Sequence, residues 1–167
     1  HGGATTSVPF TETVAGERVQ SVFEAVGLLS DPGTAPSVER LFLSYLHACV
    51  PDGEPTDESY GTLEPFFDAE LRAITAHVLV PVGDRAVNHV VEQFTTYPIG
   101  DLSVSDVHAT EISGGAWLVV PAMEPATWTD PDRRALVETL DAVLGRDFSR
   151  ESDLGRFLTD PSPYLVR

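Results

Sequence analysis

Apolar positions recur along this chain at two periods, and each period predicts a different element. Across residues 14–27, Val19, Val22, Phe23 and Val26 fall at i, i+3, i+4 and i+7. That spacing gathers them on one face of a helix, and Gly27 suits its C-terminal stop. Leu63, Phe66, Phe67, Leu71 and Ile74 predict a second helix. Ser59 would cap it, and Pro65 argues for a late start or an irregular first turn. Val87, Val90, Val91 and Phe94 predict a third, entered through the Gly83-Asp84 turn, with Asp84 as an N-terminal cap or dipole partner. Asp130-Pro131 reads as an N-cap followed by an N1 proline. Leu136, Leu140, Val143 and Leu144 then carry an apolar face as far as Gly145. Residues 147–158 suggest a short terminal helix.

Between the helices lie shorter apolar runs. Residues 41–46 (Leu-Phe-Leu-Ser-Tyr-Leu) read as a buried strand, as do residues 77–82 and 116–120. Asp31-Pro32-Gly33 is a turn signal, and residues 50–57 form a loop rich in Pro, Gly and acid. Residues 95–115 read as loop with a short strand near Val107. Strands alternating with helices argue for a parallel sheet covered on both faces, with right-handed crossovers. The expected fold is therefore α/β, a three-layer α/β/α arrangement around a central, mainly parallel sheet. Its 167 residues suit one domain, and neither a repeat nor a linker divides it.

Charge changes the picture of the surface rather than of the fold. Asp and Glu number 26 against 10 bases, giving a net charge of −16, and every base is arginine. The hydrophobic fraction of 42% and the clear periodicity argue against disorder. Two readings remain: an acidic surface for cations or basic partners, or a surface adapted to a halophilic cytoplasm. We favour the second, because a Debye length of about 3 Å in molar salt removes most self-repulsion. The same screening leaves DNA open as a partner, with little of the affinity coming from counterion release. Cys49 is the single cysteine, which excludes an intrachain disulfide and a cysteine-rich metal site. No apolar run is long enough for a transmembrane helix, and no signal peptide is visible. A cytoplasmic protein without membrane attachment is expected.

The richest candidate chemistry lies in Val119-Val120-Pro121-Ala122-Met123-Glu124-Pro125-Ala126. Ligands of open α/β sheets bind just past the carboxyl ends of strands. Glu124 stands there, after an apolar run and before a well-signalled helix. The other reading is a surface glutamate preceding a proline. His47, His77, His89 and His108 are scattered and form no metal-ligand spacing with a second His or Cys on one helix face. Asp106 and His108 would share a face if extended, a weak acid–base or metal hint beside the simpler reading of a solvated loop. Arg133-Arg134 is the one paired basic spot and offers either a phosphate contact or a solvated helix face.

The order of these pieces resembles the uracil-DNA glycosylase superfamily, most closely its iron–sulfur (family 4) branch, over residues 3–128. Val8-Pro9-Phe10 and the helix ending at Gly27-Leu28 resemble that branch's Arg-Pro-Phe segment and its following helix. Residues 41–49 resemble its strand ending in asparagine and cysteine, and residues 52–67 its proline-rich loop and next helix. Val80-Pro81-Val82-Gly83-Asp84-Arg85-Ala86 resembles its strand–Gly–helix element, and residues 119–128 the strand ending in a His-Pro motif. The resemblance places the family's first strand, with its Gly-x-Pro-Gly-type loop, upstream of His1. Tyr45 stands where the family has the asparagine that reads uracil. Glu124 stands in place of the family's histidine, and Pro125 after it would be a substrate-binding residue along with Phe10 and Tyr45. Of the cluster cysteines only Cys49 has a counterpart, with Leu63 where another would be, so no iron–sulfur cluster and no other cofactor is expected.

The resemblance implies hydrolysis of the N-glycosidic bond of a deaminated base, uracil or a related one, flipped out of DNA. Phe10 would stack the base or serve as a core phenylalanine; Tyr45 would shape the pocket or simply fill a strand end. A histidine can donate to the departing base, whereas an ionised glutamate only accepts. Glu124 could act if protonated, by orienting a water, or by accepting from the amino group of another base. The alternatives are a catalytically inactive member that binds a nucleobase, nucleotide or protein, and a hydrolase of free nucleosides or nucleotides.

Overall fold

The computed structural model describes residues 8–47, 55–74, 76–98 and 103–146. Cys49, most of the 50–57 loop and the suggested helix at 147–158 lie outside them. The element order is α1 (Val14–Ala25), β1 (Leu29–Ser30), β2 (Ser37–Val38), α2 (Asp57–Ile74), β3 (Val78–Leu79), α3 (Asp84–Phe94), α4 (Val104–Val107), β4 (Ile112–Ser113), β5 (Leu118–Val119), a 3₁₀ turn (Pro125–Thr127) and α5 (Asp130–Leu144). The fold is α/β with small sheets. β3, β5 and β4 form one sheet in that order; β3 runs parallel to β5, and β4 antiparallel to it. A parallel bridge between Val82 and Ala122 extends the β3–β5 pairing. β1 and β2 pair separately, antiparallel.

Local chemistry explains the helix limits. The Thr13 side chain accepts from the Gly16 N–H and opens α1. At its other end the Leu28 N–H donates to the Phe23 carbonyl and the Gly27 N–H to that of Glu24, with Gly27 at φ 74°. This is the Schellman closure, sealed by Leu28 and Phe23 packing in one core cluster. α2 starts three residues earlier than a Ser59 cap implies. Thr56 is its cap, and Ser59 returns the bond: the Ser59 N–H donates to Thr56 Oγ1 and the Thr56 N–H to Ser59 Oγ. Pro65 does not delay the helix; it sits inside it and has no N–H to offer the carbonyl of exposed Gly61. Phe66 is 66% exposed and does not join the apolar face. α5 is capped one residue before Asp130, at Thr129, whose N–H and Oγ1 both donate to Asp132. Those two bonds hold the Asp132 carboxyl below the usual carboxylate range.

Two expected strands are corrected. Residues 41–46 form no strand: their backbone is irregular, and Phe42 is 56% exposed. An apolar run becomes a strand only where a neighbour supplies ladder partners, and none lies beside this one among the described residues. Near Val107 the chain makes α4 instead, closed by a Ser103–Asp106 capping box, and the strand comes later, at β4.

Side chains at the end of β5 and just after it, at Val119 and Val120, alternate between two core clusters. Val120, with Ala122 and Trp128, packs with Val19, Val22 and Phe23 of α1 and Leu136, Leu140 and Val143 of α5. Val119, with Leu79 and Ile112, packs with Leu71 of α2, Val87, Val90 and Val91 of α3, and Val104 and Val107 of α4. Among the described residues no helix is long and apolar enough to cross a membrane.

Two glycines offer opposite outcomes for one substitution. A Cβ on Gly16 would lie 2.5 Å from the Phe10 carbonyl carbon, whereas Gly61 faces open space. Gly16→Ala should cost about 1–3 kcal/mol through overpacking, and Gly61→Ala should gain roughly 0.5–1 kcal/mol from helix propensity. Denaturant midpoints in molar KCl check both signs.

Candidate functional site

α1 positions the first wall of the site. Phe10 lies just before it with φ 59°, in the left-handed region that a bulky residue occupies only when held there. Gln20 supplies the hold. It is 1% exposed; its Nε2 donates to the carbonyls of Phe10 (2.7 Å) and Gly33 (2.9 Å), and its Oε1 accepts from the Gly33 N–H (2.6 Å). Buried Thr11 adds a bond from Oγ1 to the Val8 carbonyl at 2.8 Å. The missing side chain of Gly16 lets the Phe10 backbone approach the helix.

The second wall is the turn carrying Glu124. Arg18 Nη1 donates to the carbonyls of Pro125 (2.7 Å), Ala126 (3.0 Å) and Trp128 (3.1 Å). Met123 is gripped from both sides: its N–H donates to His108 Nδ1, and its carbonyl accepts from the Trp128 indole. His108 Nε2 lies 3.0 Å from the Asp132 carbonyl, so the ring is the Nε2–H tautomer and ties three segments together. Asp106 is occupied in the α4 cap. The pair does not form the shared-face site that an extended segment would give.

Phe10, Tyr45 and Glu124, remote in sequence, line one cavity of about 830 Å³. The Phe10 and Tyr45 rings are 6.3 Å apart and tilted by 36°. Burial is the main cause raising the Tyr45 phenol's pKa; a hydrogen bond with the Phe10 backbone opposes it and the Glu12 charge adds to it. Glu124 is exposed, caps the 3₁₀ turn through a 3.4 Å bond from the Ala126 N–H, and faces Gly83, where a Cβ would meet its Oε2 at 3.4 Å. Pro125 is buried at the start of that turn and is absent from the cavity wall. Its fixed φ suits the first position of that turn.

The rim also holds residues with no signal in the sequence. Buried His47 has Nε2 3.1 Å from Ser59 Oγ and stands edge-on to Tyr60. Arg85 lies 4.0 Å over the Tyr60 ring and pairs with Asp57. Asp84 occupies the first turn of α3, where its charge suits the helix dipole; Gly83, not Asp84, is the cap. Arg133 is not a phosphate contact: it donates to the Ser21 hydroxyl and carbonyl, joining α5 to α1. His89 rests between α2 and α3, 3.4 Å from Glu64 and 3.7 Å from Asp68. Among the described residues no group of three or more His, Cys, Asp or Glu is arranged for a metal ion.

No protein-family model matches this chain, and no curated protein matches it significantly.

The site's supports are separable by measurement. Gln20→Ala strips partners from three backbone groups and should cost roughly 1–3 kcal/mol for each one left unpaired, while shifting the Phe10 ring signals in NMR spectra. Tyr45 should ionise above its unfolded value of about pH 10. Its stabilising contribution is then complete below that pH and is lost as pH rises through the folded pKa. Absorbance titration at 295 nm of wild type and Tyr45→Phe checks this, the variant lacking the transition raised by burial.

Proposed function

We propose that the polar end of the cavity binds a flipped nucleobase and that the protein is a DNA-repair hydrolase of the uracil-DNA glycosylase type, working in a halophilic cytoplasm. The convergence of Phe10, Tyr45 and Glu124 on one cavity carries this reading. The three-layer α/β/α arrangement belongs to the same proposal. It is supported by the two core clusters on opposite faces of β5, one with α1 and α5 and the other with α2, α3 and α4.

In this reading Phe10 offers its ring face to the base, a contact worth about 1–3 kcal/mol and indifferent to base identity. Tyr45 supplies a hydroxyl that is protonated near neutral pH, its pKa raised further by burial, able to donate or accept at the base edge. Glu124 orients the attacking water or accepts from an exocyclic amino group. Water adds to the sugar carbon as the glycosidic bond breaks, and the base departs with the bonding pair and takes up a proton. Binding energy comes from stacking and enclosure rather than from counterion release.

One observation favours a second reading, a non-catalytic binder of a nucleobase, nucleotide or protein. A carboxylate at position 124 cannot donate to a base departing with negative charge, and Tyr45 offers one hydroxyl where an amide would offer paired donor and acceptor.

Single-turnover cleavage in molar KCl separates the two. Oligonucleotides bearing uracil, hypoxanthine or xanthine should release base from at least one lesion, and Glu124→Ala should lower the rate by about 10²-fold or more. A folded protein that releases no base from any of them would move the assignment to the binding role.

A further inference from the structure

The cavity has a second, apolar part that the proposed base site does not use. It runs beside β3. The N–H groups of Leu118, Val120 and Ala122 donate to the carbonyls of His77, Leu79 and Pro81, so these residues turn their backbone toward β5. Strand alternation then turns the N–H and C=O of Val78 and Val80 the other way, into the cavity. Among the described residues those groups have no hydrogen-bond partner. Across the cavity stands the 41–46 segment, where Leu41 and Leu43 likewise carry no backbone bond.

Helices close both faces of this gap. Leu140 and Val143 of α5 line it on one side, and Leu71 and Val90 of α2 and α3 on the other. The space therefore lies in the plane of the sheet, with an open row of main-chain donors and acceptors at its edge and apolar walls above and below. We infer that the gap is a docking site for an extended, apolar segment of a partner polypeptide, added to β3 as an extra strand. Main-chain pairing demands a polypeptide, because only a peptide backbone repeats donor and acceptor at the strand spacing. Two apolar walls demand an uninterrupted apolar run of about five residues rather than an alternating one.

Charge selects the source. Glu70, Asp84 and Glu124 line the cavity against Arg40 and the already paired Arg85. At low ionic strength, where a net charge of −16 is unscreened, a second copy of the chain is an unfavourable donor. The occupant is a strand of a different protein with basic residues flanking its apolar run.

The test uses a synthetic peptide of five β-branched residues between two arginines, and the same peptide N-methylated along one edge. With the unmodified peptide, amide exchange at Val78 and Val80 should slow at least tenfold and saturably; the N-methylated peptide should leave it unchanged. Unchanged exchange with both peptides, equal protection by both, or protection that instead follows self-association of the chain would each overturn the inference. Asp84→Asn with Glu70→Gln should weaken peptide binding several-fold at low salt. These readouts at Val78 and Val80 are independent of base binding at Phe10, Tyr45 and Glu124.

Discussion

The Arg18 guanidinium, donating to the carbonyls of Pro125, Ala126 and Trp128, is the contact on which the arrangement of this molecule turns. A tight turn exposes carbonyls that need partners, and one planar cation satisfies three of them. It thereby fastens the turn that carries Glu124 to α1. Two residues along the same helix, Gln20 performs the matching task for the Phe10 loop and the Gly33 turn. Both walls of the cavity thus hang from one helix, which is itself fixed by a Thr13 cap and a Schellman closure. Arg133 joins α5 to the same helix through Ser21. In a chain without lysine, the planar, multiply donating arginine does the internal fastening while the acidic majority covers the surface.

This division bears on salt. Bonds from side chains to backbone carbonyls, fully buried at Gln20 and half-buried at Arg18 and Arg133, are short-ranged and little affected by screening. The repulsion among 26 acids is long-ranged and strongly affected. On the proposed halophilic reading, a fold whose internal ties are of the first kind, with a surface of the second, would gain stability as ionic strength rises. The two parts of the cavity differ in the same way. Its polar end, at Glu124 and Asp84, responds to charge; its apolar length beside β3 depends on main-chain pairing and burial.

Helices were legible in the sequence because their signal is local. The periodic face of α1, the run through α3 and the caps of α5 each reside within a dozen residues, and their limits moved by only one or two positions. Strands were legible only where a partner existed. The run at 77–82 found β5, while the equally apolar run at 41–46 found no ladder partner and stayed irregular. Val107 fell into a helical turn because Ser103 and Asp106 cap each other, a local bond that outweighs a β-branched preference. At the site, the cavity collects Phe10, Tyr45 and Glu124, yet the residues that hold them were not foreseen. Gln20 had one signal: a polar side chain beside Val19 and Val22, at the border of the apolar stripe. Arg18 had none, since its carbonyl partners lie more than a hundred residues away.

Amide-resolved NMR in molar KCl, with free uracil, cytosine and adenine titrated in turn, tests most directly whether the α1-held cavity is a base-binding site. Saturable shifts concentrated at Phe10, Tyr45, Gly83 and Glu124, and lost in Arg18→Ala while that variant remains folded, are the result expected. Shifts scattered over the surface, or none at all with any base, would contradict it.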